Sequence, residues 1–270
     1  MDVVMTGATG FVGRALMGWL LDAGHRVHAL LRDPADPAIA RLAGVRTSRF
    51  DLLFEAGHTP DFSADALVHL AWPDLDDYNS LSHVESALPA SYRVVKAALD
   101  AGVRRVLVTG TCQEFGLREG ALAADTPTEP QTSYAVAKDG LHRQLRLLAP
   151  RYGADIIWAR LFYLHGPGQR SKSLFAQLEA ALARGDARFD MSPGEQLRDY
   201  IHVTEAARQL CDALETAPDG PVNICSGTPR SVRGLVEDWL TERGAGITLN
   251  PGHFPYPPHE PMACWGRKGT

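Results

Sequence analysis

Val3-Val4-Met5-Thr6-Gly7-Ala8-Thr9-Gly10-Phe11-Val12-Gly13 begins as a short apolar run and breaks into three glycines spaced three apart. The run predicts a buried strand, and Arg14-Ala15-Leu16-Met17-Gly18-Trp19-Leu20-Leu21 carries helical apolar spacing up to a stop at Ala23-Gly24. Between the two, each glycine answers a separate need. Gly7 allows the tight turn, Gly10 lets the backbone approach a phosphate, and Gly13 lets the helix pack closely on the sheet. The first N–H groups of that helix then face an anion that the helix dipole favours. Such a strand–turn–helix suits the pyrophosphate of a dinucleotide, with Gly7, Thr9, Gly10, Phe11 and Val12 as candidate contacts; without a ligand it reads as a plain glycine-rich turn.

Outward from this segment, apolar runs recur at Asp2–Thr6, Arg26–Leu31, Ala66–Ala71, Arg105–Thr109, Asp155–Leu161 and Val222–Ile224. Helical spacing fills the intervals at Gly13–Leu21, Ser86–Asp100, Ser133–Leu148, Ser171–Arg184 and Val203–Glu215. This alternation predicts an α/β chain with a parallel sheet covered by helices on both faces. Glycine and proline gather instead at Gly166-Pro167-Gly168, Ser192-Pro193-Gly194 and Pro251–Pro261, which predicts a smaller, irregular C-terminal region beside the ligand crevice.

A chain of 270 residues, 45% hydrophobic, buries a large core. Its net charge of −5 supplies no basic field for nucleic acid, so the expected partner is a small molecule. No apolar run approaches the ~20 residues of a membrane span, and no signal peptide precedes the first strand, so a cytoplasmic protein is expected. Cys112, Cys211, Cys225 and Cys264 lie far apart with no nearby histidine pattern, which predicts free thiols and no metal.

The second strand ends without an acidic residue and is followed by Arg32. A carboxylate there would hold both ribose hydroxyls, whereas a guanidinium attracts a 2′-phosphate, so the sequence favours NADP(H) over NAD. Arg32 also reads as an exposed turn residue, and Asp33 is in reach of a ribose hydroxyl. The G-x-x-G-x-x-G form of the opening motif resembles the short-chain dehydrogenase/reductase superfamily, and that resemblance implies that Asp51 with Leu52, after the expected third strand, contacts the adenine; Asp51 equally reads as a turn cap. Asp65–Ala71 resembles that superfamily's fourth strand, which implies that Leu70 and Ala71 at its end lie along the adenosine, while His69 reads as a hydrogen-bonded core histidine.

Ser133-Tyr134-Ala135-Val136-Ala137-Lys138 sets a phenol and an ammonium four apart on one helical face. The ammonium, with an oxidised nicotinamide, is expected to bring the tyrosine pKa down from about 10 toward the working range. Together with G-x-x-G-x-x-G and a strand ending Thr109-Gly110-Thr111, this segment resembles the short-chain dehydrogenase/reductase superfamily and its Ser/Thr–Tyr–Lys set. That resemblance implies a Rossmann-type doubly wound parallel sheet, with Thr111, Tyr134 and Lys138 catalytic and with Tyr134 and Lys138 also at the cofactor. Residues 1–165 would form the dinucleotide-binding domain, joined again by 195–225, and 166–194 with 226–270 a small mixed substrate-binding region.

Arg160-Leu161-Phe162-Tyr163-Leu164-His165-Gly166-Pro167 and Arg198-Asp199-Tyr200-Ile201-His202-Val203 resemble segments of the extended members, the sugar-nucleotide epimerases, dehydratases and reductases. The match implies that Arg198 binds a substrate diphosphate, with Gln113 and Tyr163 at the sugar, although Tyr163 stands where asparagine is usual and His165 where tyrosine is usual. Dehydratases of this kind carry Asp-Glu after the threonine; here Cys112 and Gln113 stand there, and an amide is no acid or base. The resemblance therefore implies an NADPH-dependent reductase of a nucleoside-diphosphate 4-keto-6-deoxysugar, with Ser171–Leu178 and Pro255-Tyr256-Pro257-Pro258 around the substrate and a homodimer formed through Ser86–Asp100 and Ser133–Leu148. Alternatives are a nucleotide-sugar 4-epimerase with tightly bound NAD, a reductase of a non-nucleotide ketone or aldehyde, and a non-catalytic NADP-sensing protein.

Overall fold

The six apolar runs pair side by side in one seven-stranded sheet. The computed structural model describes residues 1–53, 60–256 and 260–268. Its strands are β1 (Asp2–Thr6), β2 (Arg26–Leu31), β3 (Val45–Arg49), β4 (Ala66–His69), β5 (Arg105–Thr111), β6 (Asp155–Leu161) and β7 (Gly220–Ile224). They lie in the order β7-β6-β5-β4-β1-β2-β3, every pair parallel. The order reverses between β1 and β4, and the crevice outside that switch point is where such sheets bind ligands.

The helices are α1 (Phe11–Asp22), α2 (Leu88–Asp100), α3 (Ser133–Leu148), α4 (Leu174–Arg184), α5 (Val203–Thr216) and α6 (Val232–Glu242). Leu16, Met17 and Leu20 of α1 and Ala206, Ala207 and Leu210 of α5 bury one sheet face against Val3, Met5 and Ile157. Val95 and Leu99 of α2 with Leu141 and Leu145 of α3 bury the other against Val4, Leu67 and Val106. Both faces are therefore covered, which is why β4 and β5 read as nearly unbroken apolar runs.

Several boundaries differ from expectation for local reasons. Val45-Arg46-Thr47-Ser48-Arg49 shows no apolar run because β3 is the edge strand and buries little. β4 stops at His69, since Leu70 and Ala71 turn over Gly7, where the Ala71 N–H donates to Thr6 Oγ1 at 3.3 Å. β5 runs on through Gly110 and Thr111, which pair with Arg160 and Leu161. A widened π turn at His83–Ala87 leads into α2. Helix α6 was signalled by Ser231, whose hydroxyl accepts from Gly234 N at 3.1 Å, and by Val232, Leu235, Val236 and Trp239 at helical spacing.

Beyond the main sheet, α4 and α6 share a small core of Phe175, Leu178, Val236 and Trp239. A four-stranded sheet joins Gly120–Leu122, Leu197–Arg198, Arg230–Ser231 and Ala263–Gly266. Leu197–Arg198 thus hydrogen-bonds in the small sheet, while α5 and β7 belong to the large one.

Candidate active site

The turn after β1 is closed on every side by backbone. Gly7 adopts φ +75°, and a Cβ there would lie 2.7 Å from Ala71 N. A Cβ on Gly13 would lie 2.1 Å from Gly7 O and 2.8 Å from Ala8 Cα. Gly10 is the N-cap of α1 and brings no side-chain acceptor, so the first N–H groups of the helix face outward unclaimed by a cap. Thr9 anchors the turn by accepting Arg14 Nε–H on its carbonyl at 2.8 Å, and Phe11 and Val12 are half-buried in the first helical turn. A glycine-only cradle at a helix N-terminus fits a dinucleotide pyrophosphate. Arg32, just past β2, is exposed and makes no hydrogen bond or ion pair among the described residues, while Asp33 accepts Ala35 N–H at 3.0 Å. Asp51 accepts Leu53 N–H at 3.1 Å in a local turn, and Leu52 packs on the core beneath β4 and β5.

The second half of the site lies over β4 and β5. Thr111 caps a short helical turn, Cys112–Phe115, through a reciprocal pair: its hydroxyl accepts Gln113 N–H at 3.3 Å and its own N–H donates to Glu114 Oε1 at 2.8 Å. Glu114 is fully buried and also accepts Arg160 Nε–H at 2.7 Å and Trp158 Nε1–H at 3.0 Å. Arg160 therefore acts as the counter-charge that holds the threonine turn. Thr132 caps α3 by accepting Ala135 N–H at 3.2 Å, and this start places Tyr134 near enough to Thr111 for that side chain to lower its pKa slightly against the larger effect of burial.

Tyr134 sits in an aromatic enclosure, stacked on Tyr78 with ring centroids 5.1 Å apart and met edge-on by Trp72 and His83 at 6.0 and 5.3 Å. Burial pushes its pKa above the ordinary tyrosine value, followed in effect by Tyr78 and the Glu114 charge. Lys138 is not among the groups that shift it, contrary to its expected share; the share expected of an oxidised nicotinamide belongs to the cofactor-bound protein. The Lys138 ammonium lies 6.0 Å from the Tyr134 ring centroid and is occupied elsewhere, donating to Thr109 O at 2.7 Å and resting 3.9 Å from the Trp72 centroid. Burial lowers Lys138 itself to about 7, opposed by the Glu114 charge. Trp72 is held by a hydrogen bond from Nε1 to His83 Nδ1 at 3.1 Å, and His83 Nε2 donates to Asp77 O at 2.9 Å. His69 is the core histidine expected, paired to Thr6 Oγ1 at 2.8 Å and lowered to about 3 by burial and then by Lys138.

Gln113 and Tyr163 line one cavity together with Cys112, Thr132, Glu260 and Cys264. Thr132 Oγ1 donates to Gln113 Oε1 at 3.5 Å. Arg198 lies behind Tyr163, its guanidinium carbon 5.4 Å from that ring, and is only 2% exposed. It donates to Glu260 Oε2 at 2.9 Å and to Leu197 O at 3.0 Å. Tyr256 donates to Glu195 Oε2 at 3.2 Å, whereas Pro257 and Pro258 fall outside the described residues.

Residues 3–225 match the NAD dependent epimerase/dehydratase family. The chain belongs to that family. Among curated relatives it is 28% identical over 274 residues to dTDP-6-deoxy-L-talose 4-dehydrogenase (NAD(+)) of Aggregatibacter actinomycetemcomitans, covering 99% of this chain and 100% of the relative. It is 26% identical to dTDP-4-dehydro-6-deoxy-D-allose reductase of Streptomyces bikiniensis, covering 93% and 84%. Among solved structures, MoeE5 in complex with UDP-glucuronic acid and NAD superposes with a TM-score of 0.79 at 25% identity, covering 99% of this chain and 90% of that one. A nicotinamide dinucleotide cofactor is typical of the epimerase/dehydratase family, in keeping with the cradle built by Gly7, Gly10 and Gly13.

Sequence reading missed Trp72, Tyr78, His83, Glu114 and Glu260. For Glu114 the signal was present, since Thr111-Cys112-Gln113-Glu114 has the spacing of a capping box. The aromatics sit in an irregular stretch between β4 and α2, where periodicity carries no information.

Proposed function

We propose that this member of the epimerase/dehydratase family is an NADPH-dependent reductase of a nucleoside-diphosphate 4-keto-6-deoxysugar. The observation that carries the reading is the gathering of Thr111 at the end of β5, Tyr134 against Trp72 and Lys138 on Thr109 O beside the glycine cradle that Leu70 and Ala71 close. A phenol is protonated at neutral pH, and burial moves its pKa further up, which suits a group that gives a proton to a carbonyl oxygen. Thr111 holds that oxygen with its hydroxyl, fixed by the capping bonds to Gln113 and Glu114. Lys138 supports the cofactor side from its seat on Thr109 O and Trp72.

When bound, the nicotinamide supplies hydride. Gly7, Thr9, Gly10, Phe11 and Val12 would hold the pyrophosphate, Leu70 and Ala71 the adenosine, and Asp51 and Leu52 its base. The exposed Arg32, without a partner among the described residues, supports NADP(H) by offering a fork to a 2′-phosphate. The dehydrogenase relative, named for NAD(+), works at the same sugar position, and a reductase runs that chemistry in the opposite direction. Burial raises the Cys112 thiol well above its usual range, so neither Cys112 nor Gln113 supplies the acid or base that dehydration needs. Gln113 and Tyr163 would face the sugar, and the regions 166–194 and 226–270 would cover it. Arg198 would reach the diphosphate by exchanging its Glu260 partner for phosphate oxygens.

The test of the cofactor reading is Arg32→Asp. Affinity for NADPH falls at least tenfold while that for NADH holds; an equal loss for both removes the 2′-phosphate argument.

A further inference from the structure

The fold brings His25 onto a cysteine and a glutamate of a helix nearly two hundred residues later, at the opposite end of the strands from Tyr134. His25 immediately precedes β2, and Cys211 and Glu215 lie four apart on the last turns of α5. A His25 ring nitrogen, the Cys211 Sγ and a Glu215 carboxylate oxygen all lie within 4.8 Å of one another. His25 and Cys211 are 7% and 4% exposed, whereas the Glu215 side chain is 40% exposed and opens the cluster to solvent. His25 Nε2 sits 3.0 Å from Glu215 Oε1 yet makes no hydrogen bond, because the carboxylate oxygen lies off its bonding direction. His25 Nδ1, at 3.1 Å from the Met1 nitrogen, is turned the other way. Glu215 has no other partner among the described residues.

We propose that His25, Cys211 and Glu215 form a binding site for Zn2+ or a similar borderline-soft divalent cation. Imidazole, thiolate and carboxylate together select zinc-like ions over Mg2+ or Ca2+. In a tetrahedral site, zinc bonds of about 2.0 Å to nitrogen and oxygen and about 2.3 Å to sulfur put donor atoms about 3.3–3.5 Å apart. The donor atoms here, all within 4.8 Å of one another, reach that spacing by side-chain movements of up to about an ångström, with the half-exposed Glu215 carboxylate turning most. Binding takes one Glu215 oxygen and the His25 Nε2 lone pair, which is freed as the Nε2 proton leaves to solvent and Nδ1 takes a proton from the Met1 ammonium, and the Cys211 thiol gives its proton to solvent as the S–metal bond forms. Solvent on the Glu215 side supplies the fourth ligand. A second group of metal-binding side chains, Glu114, Asp139 and His142, differs because Arg160 and Arg143 already neutralise its carboxylates at 2.7 Å each.

The site lies at the edge where the strands begin, opposite Gly7 and Tyr134, and ties α5 to the turn that follows α1. The ion therefore acts as a staple between two packed elements and leaves turnover alone.

The test uses the full chain, stripped with a chelator and kept reduced by a phosphine, titrated with Co2+. A near-ultraviolet thiolate-to-cobalt band should saturate at one equivalent per chain and be displaced by Zn2+. Zn2+ should raise Tm and Mg2+ should not. Cys211→Ser should abolish the band, and Glu215→Gln, at an exposed position that leaves the core intact, should weaken Zn2+ binding by at least the ~10-fold that even an outer-shell partner costs. Absence of the band in folded protein overturns the proposal. So does a band that survives Cys211→Ser, or unchanged affinity in Glu215→Gln.

Discussion

Gly13→Ala puts one methyl group against the backbone of the phosphate turn. The added carbon would lie 2.1 Å from Gly7 O and 2.8 and 2.9 Å from Ala8 Cα and C, all backbone atoms that no rotamer can move. Ordinary contact therefore requires α1 or the turn to shift by more than about an ångström in a closely packed core. Overpacking of this kind costs about 1–3 kcal/mol. The shift falls on the N–H groups and the Gly7 carbonyl that shape the cradle, so cofactor affinity should fall at least tenfold, about 1.4 kcal/mol. Gly18→Ala is the matched control: it lies on the same helix, exposed, with no atom within 4 Å of the added carbon. There the same change should stabilise by roughly 0.5–1 kcal/mol. Urea unfolding and fluorescence titration with NADPH and NADH read both effects. If Gly13→Ala leaves stability and affinity unchanged, the close approach of α1 to the turn is not what shapes the site.

Tyr134→Phe keeps the stack on Tyr78 and removes only the hydroxyl, so turnover should drop by roughly 10²–10⁴ with cofactor binding nearly intact. Burial lowers Lys138 from 10.5 to about 7, so between those values the unfolded chain binds more protons there and this site makes stability rise with pH, by at most about 1.4 kcal/mol per unit. Lys138→Met should remove that slope and stabilise the protein at pH 6, as read from urea midpoints at pH 6 and 9. Glu114→Ala strands the buried Arg160 guanidinium and should cost about 3–5 kcal/mol, measured by calorimetry.

The strands and helices that carry apolar periodicity were legible because both sheet faces are covered, and Gly7 to Gly13 located the switch point of the sheet. β3 was expected only by its place ahead of Asp51, since an edge strand with one apolar residue in Val45-Arg46-Thr47-Ser48-Arg49 has no pattern of its own to read. Tyr134, Thr111 and Lys138 could be picked out by spacing, yet their electrostatics could not. The tyrosine pKa depends on Trp72, Tyr78 and His83, which reach it from an irregular segment, and the Lys138 charge is taken up by Thr109 and Trp72. Likewise, Arg198 reads from its motif as an open phosphate fork, but Glu260, sixty-two residues later, already occupies it. The His25, Cys211 and Glu215 cluster was invisible for the same reason, because the packing of α5 on α1 creates it across most of the chain.

The central claim is a single hydride delivered to C4 of the sugar with consumption of cofactor. It is tested by incubating the enzyme with NADPH carrying deuterium at nicotinamide C4 and a panel of dTDP- and UDP-linked 4-keto-6-deoxysugars, following absorbance loss and product NMR. The account predicts one NADPH oxidised per product and deuterium at sugar C4. Stereochemical inversion with no cofactor consumed and no label at C4, or no turnover of any keto sugar despite NADPH binding, would contradict it.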